Sequence, residues 1–168
     1  LQVASCHHYR DQWAKAFDIK YEGENGEFEY CHQTTYGMSE RLLGAVVGMH
    51  GDDSGLIMPP RIAPIQAIVI PVLKKGSEQL VVDEARALLA ELKDAGIRCR
   101  IDERDLRPGQ KYYDWEIKGV PLRLELGTRD IENATVFAAK RTGGKTPLPR
   151  NDIISSIKSQ LAEVETEL

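Results

Sequence analysis

Residues 66–101 read QAIVIPVLKKGSEQLVVDEARALLAELKDAGIRCRI, and the order of patterns within them decides the fold. Ile68-Val69-Ile70-Pro71-Val72-Leu73 is an unbroken apolar run, as expected of a strand buried on both faces. Ser77 then offers a helix N-cap. Val81, Ala85, Leu88, Leu89 and Leu92 recur at helical spacing, and Gly96 stops the helix. Ile97-Arg98-Cys99-Arg100-Ile101 alternates as a second strand.

Beyond this unit the alternation continues. A short helix is expected from Gln110 to Lys118, ended by Gly119. Val120 to Leu126 alternates apolar with charged residues, and a further strand fits Thr135 to Ala139. The last helix runs from about Asp152, with Ile153, Ile154, Ile157, Leu161 and Val164 on one face. Strand, helix, strand, helix, strand, strand, helix is the order of a small three-layer α/β domain with a mixed sheet.

Before residue 66 the texture differs. PPRIAP, residues 59–64, cannot continue a helix and marks a domain boundary, so domains 1–64 and 65–168 are expected. Two strands are expected around the turn GENG, in Phe17 to Tyr21 and Phe28 to Tyr30. A helix should run from Ser39 to His50. Leu42, Leu43, Val46 and Val47 form its apolar face, while Arg41, Gly44, Ala45 and Gly48 fall on the other. An interior Gly costs about 1 kcal/mol relative to Ala. That cost is expected where a small face lies flat against a sheet. Arg41 then stands at the end of a tight contact, where its planar fork of donors suits a phosphate or an aromatic ring. The alternative is a surface arginine beside a packing motif.

Composition limits the function. With 168 residues, 42% hydrophobic and 29% charged, the chain suits one globular domain, or one small domain with part of another. A net charge of -4 excludes a polycation, so nucleic-acid binding would need a local patch. No apolar run approaches the roughly 18 residues of a membrane span, and no membrane partner is expected. Cys6, Cys31 and Cys99 are few, odd in number and far apart, which points to free thiols in a reducing cytoplasm. The opening LQVASCHHYR has neither an initiator Met nor a secretory signal, so the chain is expected to be a piece of something longer.

Other motifs carry less. Cys6, His7 and His8 with Cys31 and His32 fit no usual zinc spacing, and no metal site is expected. Gly143-Gly144-Lys145-Thr146 lacks the first glycine of a phosphate loop, and Pro147 and Pro149 break the helix that should follow. Lys140, Arg141, Lys145 and Arg150 are the only charges between Asn133 and Asn151, either a seat for a phosphate backbone or a solvated loop. Glu116, Lys118, Arg123 and Glu125 alternate with apolar residues, as the wet face of a sheet would.

Two long stretches carry a family resemblance. QTTYGMSERLLGAVVGMHGDDSGLIMPPRIAPIQ, residues 33–66, resembles motif 3 of class II aminoacyl-tRNA synthetases, in the prolyl family of archaeal and eukaryotic type. WEIKGVPLRLELGTRD, residues 115–130, resembles the anticodon-binding domain of the same family. The resemblance implies the C-terminal part of a class II catalytic domain, built on an antiparallel sheet, followed by the α/β anticodon-binding domain. The whole is an α+β arrangement.

It also implies roles. Arg41 inherits the catalytic contact to ATP, with Gln2, Ser5 and Ser39 beside the nucleotide. His7, Tyr36 and Gly37 stand where the family holds proline, although TYG here replaces a usual Ser-Trp-Gly. Arg104, Lys111, Trp115, Glu116, Lys118, Arg123 and Glu125 become candidates for reading anticodon bases. Lys140, Arg141 and Lys145 become candidates for the tRNA backbone. The implied reaction is ATP-dependent activation of proline to prolyl-adenylate with Mg2+, then transfer to tRNA(Pro). It rests on positioning and charge stabilisation, without a side-chain nucleophile. The implied full-length enzyme is a cytoplasmic homodimer. Motifs 1 and 2 are not seen in the chain, so it is expected not to charge tRNA alone. The alternative is a synthetase-like accessory or regulatory protein that binds tRNA without catalysis.

Overall fold

A computed structural model describes residues 2–74 and 76–168. The chain divides into two compact units, residues 1–48 and 49–168.

The first unit is a strand ribbon with helices. β1 (Ala4–Arg10) leads into α1 (Gln12–Phe17), followed by the hairpin of β2 (Lys20–Glu22) and β3 (Phe28–Tyr30). β4 (Gln33–Met38) pairs antiparallel with β1, and α2 (Arg41–His50) follows. The hairpin around GENG forms as expected, but its first strand starts late. Phe17 belongs to α1, because Trp13 and Phe17 stack one helical turn apart and Lys15 pairs with Asp11 at the same spacing. Asp18, in the left-handed region at φ 55°, ends that helix. Ala14 is the only fully buried residue of this unit's helices. On α2 a Cβ added at Gly44 or Gly48 would meet nothing within 4 Å. The flat packing expected of that glycine face is therefore not made among the described residues.

The second unit holds a five-stranded mixed sheet. Its elements are β5 (Ala67–Val72), α3 (Glu78–Asp94), β6 (Cys99–Ile101), α4 (Pro108–Ile117), β7 (Leu122–Gly127), α5 (Thr128–Glu132), β8 (Thr135–Lys140), β9 (Lys145–Pro149) and α6 (Ile153–Glu167). The strand order is β6-β5-β7-β8-β9. β5 runs parallel to β6 and β7, whereas β8 is antiparallel to both β7 and β9.

Alternation along β5 creates the layers. Ala67 and Val69 join the larger core with Ala85, Leu88 and Leu92 of α3 and Ile153, Ile157 and Leu161 of α6. Ile68 and Ile70 face the other way, into a smaller core with Val120, Tyr112 and Trp115. The expected three-layer α/β domain is what forms. Two local expectations are corrected. Ser77 stands at the start of α3 but makes no side-chain cap; its hydroxyl donates to the Lys74 carbonyl and lies 2.9 Å from the Thr128 hydroxyl. α4 begins at Pro108, whose missing N–H costs nothing in a first turn. Gly143-Gly144-Lys145-Thr146 forms the β8–β9 turn and the start of β9, in keeping with the missing first glycine of a phosphate loop.

Residues 49–64 belong to this second unit. Arg98 donates from Nε to the Ala63 carbonyl at 2.8 Å and from Nη2 to the Pro60 and Arg61 carbonyls at 2.9 and 3.0 Å. Gln66 adds a bond to the Pro60 carbonyl at 3.1 Å. Upstream, the Leu56 and Met58 amides donate to the carbonyls of Ile117 and Gly119. The backbones meet so closely there that only glycine fits. A Cβ at Gly119 (φ 72°) would lie 2.5 Å from the Leu56 carbonyl oxygen.

Gly96 also has positive φ, but nothing lies within 4 Å of its would-be Cβ. Gly96→Ala should therefore lose about 1–2 kcal/mol, from the left-handed backbone alone. Gly119→Ala should lose a further ~1–3 kcal/mol, as the backbone of residue 56 is displaced. Urea unfolding midpoints of the two variants check this order.

Candidate functional site

α4 covers only part of its side of the sheet. Strand register puts Arg123 and Glu125 of β7, Phe137 and Ala139 of β8, and Lys145 and Pro147 of β9 on the same face as Ile68 and Ile70. Tyr112 and Trp115 of α4 pack on Ile68 and Ile70. The β7–β9 portion stays partly open, and a cavity of about 470 Å³ lies there between Trp115, Glu116, Arg123 and the β8–β9 turn.

A charged network floors this opening. Glu125 is buried and accepts from Arg123 Nε at 3.1 Å and Lys145 Nζ at 2.7 Å. Burial alone would raise the Glu125 carboxyl. Hydrogen bonds from Lys145, Tyr112 and Arg123 outweigh it and hold the group below the usual carboxylate range. The Arg123 guanidinium also lies over the Tyr112 ring, 4.1 Å from its centroid. Burial first, then the Glu125 charge, push the Tyr112 hydroxyl well above its ordinary pKa. Lys145 reaches past the Phe137 ring at 5.1 Å and is 47% exposed. Lys118 is exposed, with its ammonium 4.6 Å from the Trp115 ring centroid. No side-chain partner of the Glu116 carboxylate is found among the described residues.

A second network centres on Asp102, just past β6 and 3% exposed. Its carboxylate accepts from Arg104 Nε at 2.9 Å, Arg104 Nη2 at 2.7 Å and Trp115 Nε1 at 2.7 Å. Burial would raise this carboxyl, but Arg104 and the indole N–H outweigh it and hold it down at about 2. Arg104 also binds Asp114 at 2.8 Å.

Several residues singled out from the sequence are committed elsewhere. Lys111 is 3% exposed and donates to the Asp102 carbonyl at 3.1 Å, so it supports the loop from inside and does not face the surface. The Arg141 side chain is 4% exposed. It grips the Asp52 carboxylate through both terminal nitrogens, one at 2.9 Å, and donates from Nε to the Glu116 carbonyl at 3.1 Å. That pairing holds the Asp52 carboxyl at about 2. Lys140 bridges Glu163 and Glu167 of α6. Arg150 pairs with Glu91. The β8–β9 hairpin is therefore no unpaired basic patch, and Lys145 is its most accessible cation.

In the first unit, Gln2, Ser5, Gly37, Ser39 and Arg41 line one recess of about 290 Å³. Arg41 Nη1 donates to the Gln2 carbonyl at 3.1 Å, and the Ser39 hydroxyl and amide both reach the Val3 carbonyl. The rest of the Arg41 fork stays exposed. Ser5 pairs with Gly37 and His7 with Thr35, so Ser5, Gly37 and His7 share one face of the ribbon. Tyr36 pairs with Cys6, one step out of phase, and its exposed ring leaves from the opposite face. His7 and Tyr36 are thus not brought together. Among the described residues no group of three His, Cys, Asp or Glu converges on one point.

The sequence reading passed over Asp102, Tyr112 and Phe137. Tyr112 had a usable signal, lying one helical turn before Trp115 on α4. Asp102 showed only as a charge following a strand.

Residues 66–160 match the family model of the anticodon binding domain, and the chain belongs to that family. Its relatives narrow the class further. The whole chain is 51% identical to the proline–tRNA ligase of Thermococcus kodakarensis and spans 35% of that protein. It is 47% identical to the proline–tRNA ligase of Pyrococcus abyssi, with 98% of the chain and 34% of the relative covered. With that of Methanoculleus marisnigri it shares 46% identity, over the whole chain and 35% of the relative. The chain thus spans about a third of the length of the curated relatives it matches.

The Asp102 network makes stability pH-dependent. Its folded pKa of about 2 lies below the ordinary value of 3.8, so its contribution is present above pH 4 and is lost as pH falls towards 2. Asp102→Asn should unfold more readily than the parent at pH 7. The gap should close between pH 4 and pH 2, as read by urea unfolding at a series of pH values.

Proposed function

We propose that this chain is the portion of a proline–tRNA ligase that carries motif 3 and the anticodon-reading module. In this reading residues 1–64 are the C-terminal part of the class II catalytic domain, and residues 65–168 bind the anticodon of tRNA(Pro). The carrying observation is the half-covered sheet: an opening bordered by Trp115, Glu116, Arg123 and Lys145, inside the stretch that matches the anticodon binding domain. Aromatic and charged groups around such an opening suit splayed single-stranded bases, which stack on rings and hydrogen-bond along their edges. The half-buried Glu116 and the exposed Lys118 are the polar readers, Arg123 and Glu125 the fixed floor, Arg104 a rim group, and Lys145 the backbone contact.

The recess around Arg41 would take the nucleotide. Its exposed guanidinium, the Ser5 and Ser39 hydroxyls and the Gln2 side chain suit phosphate and ribose oxygens, and Gly37 leaves the floor low. ATP would supply the adenylyl group, its α-phosphorus taking the proline carboxylate as pyrophosphate leaves. Among the described residues no carboxylate lines the recess, so Mg2+ would enter with the nucleotide and take no ligand from these residues. Arg41 would orient the triphosphate and offset its charge, and His7 would lie on the same ribbon face, towards proline. Charging then requires the rest of a longer enzyme, which we place in the cytoplasm as a homodimer. No helix among the described residues is long and apolar enough to cross a membrane.

The test is binding to tRNA(Pro) and to the same tRNA with its two anticodon guanines replaced, at one fixed salt concentration. Replacement should weaken binding about tenfold or more. Lys118→Ala should abolish most of that difference, while Lys145→Ala should weaken both tRNAs alike and lower the salt dependence. Equal binding to both tRNAs, fading together as salt rises, would reduce the module to a phosphate-binding surface.

A further inference from the structure

Trp115, with Val120, forms a wall shared by two cavities. One is the opening of about 470 Å³ over β7–β9; the other, of about 170 Å³, is lined by Met58, Ile65 and Lys118. A ring packed on Ile68 and Ile70 needs no polar anchor to fill space, and Phe or Leu would serve. Yet the indole N–H is held at 2.7 Å by the carboxylate of Asp102, an ionised group almost wholly buried. Burying a carboxylate is costly, and here it is offset by Arg104, which grips both of its oxygens. Lys111 fixes the same residue from its carbonyl side.

An indole has a single N–H donor, so one strong acceptor selects one of its two flipped orientations. That contact fixes the ring edge; Ile68 and Ile70 pack against the ring and the exposed Lys118 ammonium lies over it at 4.6 Å, so a stacking base would take the place of the Lys118 head. The loop after β6 thus sets the attitude of a ring on α4.

We propose that Asp102 is a positioning residue for nucleic-acid recognition, holding the Trp115 indole as the surface on which a splayed base stacks. This rests on the anticodon-reading function proposed above. Asp102 itself touches no ligand; it acts through the indole N–H and, by holding Arg104, keeps that guanidinium at the rim.

The experiment uses the whole chain with Trp13→Phe, which leaves Trp115 as the only indole, and an anticodon stem-loop of tRNA(Pro) as the probe. Binding should quench Trp115 emission. Trp115→Phe, read by fluorescence anisotropy of a labelled stem-loop, keeps a ring and removes the N–H; it should weaken binding about tenfold. Asp102→Asn should weaken it similarly and shift the emission of Trp115 in the free protein. The double variant should be no weaker than the worse single one, because both remove the same contact. Additive losses, or single variants that bind as tightly as the parent, overturn the proposal. Should Asp102→Asn fail to fold, Trp115→Phe alone decides by the same criterion. A parent chain that binds the stem-loop and its anticodon-replaced form equally would instead sink the anticodon reading. A parent that discriminates, with Asp102 and Trp115 variants that match it, sinks only this one.

Discussion

A single strand buried on both faces constrains the larger unit. β5 lies between β6 and β7 and is shielded above and below, so helices must occupy both sides of the sheet. On one side α3 and α6 share the task. On the other, α4 alone is available, and it sits on Ile68 and Ile70. Five strands measure about 19 Å across at their usual spacing, while a helix covers about 10 Å. The β7–β9 half therefore cannot be roofed by α4. Its open face is a geometric remainder of that arrangement.

What lines the remainder follows from partial burial. Glu125 is too screened from water to stand alone, so it pairs with the half-buried Arg123, which also lies over the Tyr112 ring, and with the exposed Lys145. Such a floor is pre-formed and stiff. Lys118 and Glu116, at the end of α4, are freer. The site thus combines a fixed polar base with two adaptable side chains at its lip.

Much of this was legible in the sequence because periodicity reports burial. The run Ile68 to Leu73, the spacing of Val81, Ala85, Leu88 and Leu92, and the alternation from Val120 to Leu126 each gave the right element. β9 was hidden by Pro147 and Pro149, which a sheet tolerates on an edge strand lacking an outer neighbour. α5, only five residues long, is too short to show a period. Partners were the harder matter. Alternation identifies Arg141 as charged but not that Asp52, far upstream, will neutralise it. Lys111 likewise reads as a surface residue on a short helix until the loop after β6 folds beneath it. In the first unit, Gln2, Ser5, Ser39 and Arg41 were named together and line one recess. Tyr36 was grouped with His7, although strand alternation already separates their faces.

The grip of Arg141 on Asp52 has a bearing on where the chain can be divided. The proline-rich stretch 59–64 reads as a seam, and the family match begins just after it. A module cut there would leave Arg98 without the three carbonyls of its clasp and Arg141 without its counter-ion. It would also bare the groove along Ile117 and Gly119, where residues 55–58 lie backbone to backbone. The seam that homology marks and the seam that the fold respects are different places. Residues 49–64 act as a selvedge, woven into the module they precede.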